Sequence, residues 1–303
     1  MERNIWLDYF KIILSILVVT IHMQPLFGNY DFGGWAISNG VARIAVPSFY
    51  IINGYFIASK IGDNAAIKRY LLHIFIIYIT WSIIYIPTYI GDIELRSLVT
   101  FFFFGYYHLW FLPGLILGIV ILAIVCKYIK RENTVLGISF FPFVAGYILE
   151  YSQLLPYRIF YCNGIFFSFP FLAIGYYIRK KNMVQEVKKD VYIHSLIVIS
   201  LLSLLIESYC SMQRDVVQNF YLSLYILCPA IILCILKRPK KIGQKYGISN
   251  ISAGIYYIHI LVITEIIPLN DSYNIYRLPL VVILSVLLSI FIIRINKRIK
   301  IFL

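Results

Sequence analysis

Charged side chains are scarce in this chain, and acidic ones are the scarcest, with 14 Asp and Glu against 27 Lys and Arg. Charged residues make up 14% of the 303 positions and hydrophobic ones 61%, and the mean hydropathy is +0.82. A soluble fold cannot cover so much apolar surface, because roughly a quarter of a soluble chain is charged and most of that charge coats its exterior. The composition therefore excludes a soluble enzyme, a disordered chain and a disulfide-stapled scaffold, and it indicates a membrane protein.

Recognisable catalytic and metal-binding motifs are also missing. The five cysteines show no CxxC or Cys/His spacing, and the five histidines form no HxxH or HExxH pair. No GxSxG, Walker A or GxGxxG pattern occurs either. We therefore expect no disulfide framework, no metal site, and neither Ser-hydrolase nor nucleotide-hydrolysing chemistry.

Long apolar runs recur along the whole chain. A membrane-spanning helix needs about 20 mainly apolar residues. Runs of this kind lie near 6–26, 41–59, 70–90, 98–128, 134–150, 160–178, 191–209, 217–236, 249–268 and 276–295. The fourth is too long for one span, and we expect a short re-entrant or interfacial segment near 101–108. The sequence thus predicts an all-α integral membrane protein of about ten transmembrane helices, folded as a single domain over 1–303.

The basic residues predict the orientation of these helices, because Lys and Arg concentrate in cytoplasmic loops. Of the 27 Lys and Arg residues, 21 lie at run ends predicted on one side of the membrane and 5 at run ends predicted on the other side. The remaining one, Lys11, lies inside the first run. This asymmetry requires an even number of crossings and places both termini in the cytoplasm. It also accounts for the net charge of +13, so we expect no nucleic-acid partner.

Two ionisable residues lie in the first apolar run, where an unpaired charge costs several kcal/mol. Lys11 and His22 are eleven residues apart, which on a helix puts them on one face at depths about 16 Å apart. Asp8, one turn before Lys11, is placed to pair with it. The pattern indicates two functional positions along one buried path. Alternatively, Lys11 snorkels to the inner headgroups and His22 is an interfacial helix-end residue.

The second run carries an unusual set of polar and helix-breaking residues. Arg43 stands at its outer end, followed by Pro47, Ser48 and then Asn53-Gly54. Proline interrupts the hydrogen bonds of a helix, and Asn53 puts an amide at membrane depth. The pattern predicts a kinked helix lining a cavity. The alternative is close helix packing at Gly54.

Four further polar residues are candidates for a site. His108 and Trp110 lie at the outer end of the fourth run, where an aromatic belt residue is also expected. Glu150 lies at an outer helix end, and His259 falls within the ninth run. Ionisable groups in such positions mark functional sites by default.

Taken together, five segments in order resemble the membrane-bound acyltransferase-3 superfamily, which includes bacterial surface-polysaccharide O-acetyltransferases. The segments are Lys11 with His22, Val46–Phe49 with Asn53–Phe56, His108–Leu112, Phe171–Tyr177 and Ile255–His259. Two positions depart from the family pattern: Lys11 stands where Arg is usual, and Asn53 where Ser is usual. The departures keep the charge and the hydrogen-bonding capacity but put bidentate recognition of phosphate in doubt.

The resemblance implies transfer of an acetyl group from cytoplasmic acetyl-CoA to a hydroxyl of a cell-surface or lipid-linked glycan. His22 would be the general base or an acetyl relay, and both remain open. The expected donor-binding residues are Lys11, Arg43, Asn53, Tyr55, His108 and Trp110, with Asp8, Ser48, Glu150 and His259 as further candidates. The expected partners are acetyl-CoA, the glycan, membrane lipids and a second copy of the chain, in the bacterial cytoplasmic (inner) membrane.

A different class of function is an alternative. The first-run pattern also resembles the membrane domain of glycopeptide-resistance serine racemases, which looks like an amino-acid importer. On this interpretation the chain is a membrane transporter of a small solute such as an amino acid, and it needs no acyl donor.

Overall fold

The computed structural model describes residues 4–28, 31–89, 104–155, 157–238, 248–269 and 273–303. Within these ranges the regular elements are helices, and no strand is present. The predicted all-α class is therefore confirmed for the described part of the chain.

Twelve α-helices are described. The first six are α1 (Ile5–Ile21), α2 (Phe32–Trp35), α3 (Ala45–Ile57), α4 (Asn64–Tyr89), α5 (Phe111–Tyr128) and α6 (Glu132–Ser152). The others are α7 (Phe169–Lys180), α8 (Met183–Glu186), α9 (Asp190–Gln213), α10 (Leu224–Leu236), α11 (Ile248–Leu261) and α12 (Leu278–Ile299). Short π or 3₁₀ turns adjoin several of them, at Ala36–Gly40, Val41–Ile44, Tyr107–Trp110, Arg158–Phe160, Gly164–Ser168 and Val262–Ile266.

Six helical segments of the described chain are long and apolar enough to cross a membrane, which makes this a multi-pass membrane protein. Every one of the ten predicted spans overlaps a helix, but four of those helices are not among these six segments. These are α1 with 17 residues, α7 with 12, α10 with 13 and α11 with 14. The count of ten spans and the cytoplasmic termini stay predictions.

The predicted re-entrant segment near 101–108 lies partly outside the described residues. Within them, Tyr107–Trp110 forms a 3₁₀ turn that leads directly into α5.

The chain divides into two compact units, although no linker or repeat in the sequence marks the division. Met1–Val46 and Val191–Leu303 form the first, here called the terminal unit. Pro47–Asp190 forms the second, the central unit. The predicted site residues are divided between the units. The terminal unit contains Asp8, Lys11, His22, Arg43 and His259, and the central unit contains the others.

The terminal unit is built around α11, which packs between α1 and α12. Small residues permit this packing. Ser15 of α1 meets Ser252 of α11, with their hydroxyl oxygens 2.8 Å apart. On the opposite contact, a Cβ added to Gly254 would lie 2.6 Å from the Ser289 Cβ. Glycine and serine let helix backbones approach closely where larger side chains could not.

In the central unit, α3 and α7 approach even more closely. A Cβ added to Gly54 would lie 2.1 Å from the Leu172 carbonyl oxygen, and one added to Gly175 would lie 2.0 Å from the Ile51 carbonyl oxygen. Each glycine thus faces the backbone of the other helix. Of the two interpretations of Gly54, close helix packing is the one that the structure bears out.

The predicted interruption near Pro47 begins upstream of that residue. The helix is of the π type over Ala36–Gly40 and of the 3₁₀ type over Val41–Ile44, and regular α-helix resumes at Ala45. Pro47 therefore lies in the first turn of α3, where a missing backbone N–H is least costly.

The glycine contact leads to a stability prediction. Gly54→Ala should destabilise the protein by about 1–3 kcal/mol or more, because backbone atoms cannot yield to the added methyl group. The measurement is the midpoint of thermal unfolding in detergent, followed by size-exclusion chromatography. Gly137→Ala is the matched control: a Cβ at Gly137 of α6 meets nothing within 4 Å, so helix propensity should raise stability by about 1 kcal/mol. Equal midpoints for the two variants would contradict the prediction.

Candidate functional site

His22 lies at the end of α1 and not inside it. The helix ends at Ile21, and the His22 backbone N–H donates to the Val19 carbonyl over 3.1 Å. Its imidazole packs against that of His259 on α11, with the ring centroids 5.3 Å apart. The structure therefore combines two sequence-predicted candidates that are separated by more than two hundred residues.

His259 is fully buried, and its ring orientation is defined by a backbone contact. Its Nδ1 lies 3.1 Å from the Ile255 carbonyl oxygen. A carbonyl oxygen can only accept, so Nδ1 carries the proton and Nε2 is the acceptor nitrogen of the neutral ring. Within the described ranges, no group of three or more His, Cys, Asp or Glu side chains is arranged to hold a metal ion.

Lys11 pairs with Asp8, as predicted from their spacing. Lys11 Nζ lies 3.8 Å from Asp8 Oδ1, and both side chains are largely buried, with 19% and 6% exposed. One turn later, Ser15 and Ser252 tie α1 to α11, since Ser252 Oγ donates to the Lys11 carbonyl over 2.8 Å. The helix that carries Lys11 and His22 is therefore held to the helix that carries His259.

Arg43 lies in a buried network of amide side chains. The guanidinium is 7% exposed and donates to Asn39 Oδ1 over 2.5 Å and to Asn219 Oδ1 over 2.8 Å. Asn39 in turn exchanges hydrogen bonds of 3.0 and 3.2 Å with Gln24. The network thus connects Arg43 with the chain two residues beyond His22.

Beside this network lies a cavity of about 300 Å³, here called the Trp35 pocket. It is lined by Gln24, Pro25, Leu26, Gly28, Asp31, Gly34, Trp35, Met212 and Asp215. Two aspartates, one glutamine and one tryptophan line it, and no Lys or Arg stands among these described lining residues.

In the central unit, Asn53 and Tyr55 each bind a side chain that the sequence does not single out. The Tyr70 hydroxyl donates to Asn53 Oδ1 over 2.5 Å. Arg179 donates to the Tyr55 hydroxyl over 3.0 Å and also lies over its ring, 5.1 Å from the centroid.

The other central-unit candidates lie in two surroundings. The Arg158 guanidinium lies 5.1 Å from the centre of the Trp110 ring and within electrostatic range of the buried Glu150. The buried His108 ring packs against Tyr85, with the centroids 5.2 Å apart. Ser48 is fully buried in α3.

A second cavity, of about 540 Å³, lies within the central unit and is here called the lysine pocket. It is lined by Ile61, Gly62, Asn64, Ile67, Ala123, Ile124, Cys126, Lys127, Lys130, Tyr176 and Lys180. Three ammonium groups and no carboxylate stand among these described lining residues, so the pocket favours an anionic ligand.

For some of the residues in these sites, the spacing along the sequence indicates which neighbours they face. Ser15 follows Lys11 by four residues and precedes His22 by seven, which puts all three on one helix face. Asn39 precedes Arg43 by four residues. Asn219, Asp215 and Ser252 are far from their partners along the chain, and no local spacing identifies them.

Comparisons with known proteins agree with this architecture. A family model described as an acyltransferase domain matches residues 4–294. The chain is also similar to an amino-acid racemase of Enterococcus faecalis, at 24% identity over 97% of this chain and 47% of that protein. A serine/alanine racemase of Enterococcus gallinarum is 27% identical over 68% of this chain and 33% of that protein. The chain thus spans less than half the length of these curated relatives. No solved structure matches.

The Arg43 network generates a prediction about stability. Asn219→Leu removes an acceptor from a buried guanidinium and should cost about 1.5–3 kcal/mol. Asn219→Asp keeps an acceptor at the same place and adds an opposite charge, so it should retain most of the stability. Thermal unfolding midpoints in detergent test both variants, and a Leu variant as stable as the Asp variant would contradict the prediction.

Proposed function

The chain belongs to the acyltransferase family whose model spans residues 4–294, and on that premise we propose that it is a membrane O-acetyltransferase. It moves an acetyl group from cytoplasmic acetyl-CoA to a hydroxyl of a cell-surface or lipid-linked glycan. We place it in the bacterial cytoplasmic membrane with both termini inside.

The observation that carries this proposal is the arrangement of α1 and α11. Lys11 lies on α1 and His22 caps the C-terminal end of that helix, about 16 Å further along its axis, and the Ser15–Ser252 contact holds α1 to α11. At the outer level, His22 packs against His259. His259 is fully buried and His22 is half-buried, and ionisable side chains at such positions in an apolar medium mark functional sites by default.

Acyl transfer requires a base because a hydroxyl is a poor nucleophile near neutral pH. In the proposed step, the acceptor oxygen forms a bond to the thioester carbonyl carbon while its proton passes to His22. The carbon–sulfur bond then breaks, and the proton returns to the departing thiolate. An acetyl-histidine relay, in which His22 attacks the thioester first, gives the same products.

The lysine pocket, within the central unit, has the charge to bind phosphate groups such as those of CoA. CoA carries a pyrophosphate and a 3′-phosphate, and ammonium groups are strong partners for phosphate. Lys127, Lys130 and Lys180 belong to the set of basic residues predicted to face the cytoplasm, where acetyl-CoA is made. Lys11, whose charge is offset by Asp8, remains a predicted contact of the pantetheine arm.

A second candidate function is transport of a small amino acid. The relatives named as amino-acid and serine/alanine racemases favour it, because a racemase and an importer of the same amino acid would act in sequence. Proteoliposomes separate the two functions. Uptake of labelled serine without acetyl transfer supports the transporter, and acetyl transfer without uptake supports the enzyme.

We expect His22→Gln to abolish transfer while the protein still folds in the membrane. Loss of a general base costs about 10²- to 10⁴-fold in rate, and glutamine keeps hydrogen bonding without a comparable basic nitrogen. The measurement is transfer of labelled acetyl from acetyl-CoA by membranes or proteoliposomes with matched protein amounts.

The control for this substitution is His73→Gln, at an exposed position of α4, which should leave the rate unchanged. If His22→Gln keeps more than about a tenth of the normal rate, His22 is not the base. In that case His259, its ring partner, becomes the candidate.

The lysine pocket is tested by replacing Lys127, Lys130 and Lys180 together with glutamine. KM for acetyl-CoA should rise about tenfold or more, because each charge-assisted hydrogen bond to a phosphate is worth about 1.5–3 kcal/mol. kcat should change less, since these groups lie at the phosphates and not at the thioester.

A triple variant of equal charge change provides the control. Lys188, Lys189 and Lys297 are exposed and do not line the pocket, so replacing them with glutamine should leave KM near the original value. An equal rise in KM for both triple variants would show that general surface charge, and not the pocket, attracts the donor.

A further inference from the structure

We propose that the Trp35 pocket is the acceptor subsite and that it takes a sugar ring that carries no anionic group. The proposal rests on the proposed acetyl transfer and adds the chemical class of the acceptor. It concerns neutral and amino-bearing sugars, as opposed to uronic acids, sialic acids and phosphorylated sugars.

The pocket lies next to the proposed base along the chain. Gln24 lines it and is two residues past His22, so their Cα atoms are at most about 7 Å apart. The Gln24 amide is held by Asn39 and also donates to the Ile21 carbonyl over 3.0 Å. The wall of the pocket therefore begins two residues beyond the proposed base.

The wall formed by residues 25–28 is held in place before any ligand binds. The Asn274 side chain donates to the Pro25 carbonyl over 3.1 Å, and the Ile275 backbone N–H donates to the Leu26 carbonyl over 3.0 Å. Gly28 lies against the Tyr273 ring, where an added Cβ would be 3.4 Å from the hydroxyl oxygen. Such preformed walls reduce the entropy cost of binding a ligand.

The lining groups match the surface of a sugar. An indole such as that of Trp35 offers a flat apolar face to the C–H groups of a pyranose ring. The carboxylates of Asp31 and Asp215 and the amide of Gln24 accept hydrogen bonds from hydroxyls. A volume of about 300 Å³ accommodates one sugar residue at a time.

The charge of the lining excludes anionic ligands. Two carboxylates face the pocket, and no basic side chain stands among its described lining residues to offset them. Arg214, next to Asp215 in the chain, is not part of the lining. A free amino acid is also a poor occupant, because its own carboxylate would meet two aspartates without a cation.

The test uses three soluble acceptors with the full-length protein in proteoliposomes and labelled acetyl-CoA. They are methyl N-acetylglucosaminide, methyl glucosaminide and methyl glucuronide. We expect the first two to be acetylated and the glucuronide to be used at least about tenfold less well, as expected for a charge repelled by nearby carboxylates.

Two substitutions probe the pocket itself. Asp31→Asn together with Asp215→Asn should reduce the discrimination against the glucuronide at least severalfold. Asparagine at position 31 still caps α2, because the Asp31 oxygen accepts from the Gly34 N–H over 2.8 Å and an asparagine oxygen can do the same. Trp35→Ala should raise KM for the neutral glycoside about tenfold, and Trp35→Phe, which keeps an aromatic face, should raise it less.

Matched controls lie outside the pocket. Glu265→Gln removes one negative charge at an exposed position, and Trp6→Phe alters a tryptophan that is 49% exposed. Neither should change the order of preference among the three acceptors. A change in that order with Glu265→Gln would assign the discrimination to general surface charge and overturn the proposal.

Binding and turnover are measured separately, so the two proposals fail in different ways. Binding is followed by quenching of tryptophan fluorescence, compared between the original protein and Trp35→Phe. Acetyl transfer to all three glycosides without preference would overturn the acceptor subsite and leave the acetyltransferase intact. Binding of the neutral glycosides that depends on Trp35, without any use of acetyl-CoA, would keep the subsite and overturn the acetyltransferase.

Discussion

Polar side chains inside this protein must find their partners within the protein, because an apolar surrounding offers no water to replace a missing hydrogen bond. This constraint explains contacts that would be minor on a soluble surface. Ser15 and Ser252 bond to each other and to the Lys11 carbonyl, and Asp8 offsets the charge of Lys11. The contacts of Ser252 also join α11 to α1.

Because buried polar side chains must be paired, their pairing also fixes their positions. Arg43 is held by Asn39 and Asn219, and Gln24 is held by Asn39. The network therefore fixes the chain just beyond His22, at the edge of the Trp35 pocket. Preorganised polar groups of this kind act in catalysis and binding without having to be ordered by the substrate. The small residues that allow close helix packing, such as Gly54, provide the rigid support.

The two pockets differ in charge. The lysine pocket is lined by ammonium groups, and the Trp35 pocket is lined by carboxylates, each without an opposite charge among its described lining residues. Under the proposed acetyl transfer the donor is anionic and the acceptor is uncharged, and a lining of ammonium groups suits the former while a lining of carboxylates repels it. Specificity then arises from rejection of the wrong ligand as well as from attraction of the right one.

Sequence alone determined the helical class, the apolar runs that the long helices overlap, the Lys11–Asp8 pair and the two competing interpretations of Gly54. All of these depend on local periodicity: the run of apolar residues, or positions three and four apart on one helix face. Tertiary structure decided that His22 meets His259, that Arg43 meets Asn219, that Gly54 packs against α7, and that Asp31 and Asp215 share one cavity. These contacts join residues that are far apart along the chain. The packing of one helix against another depends on the shapes of side chains over whole helix surfaces, and the residue spacing within a single helix does not specify those shapes.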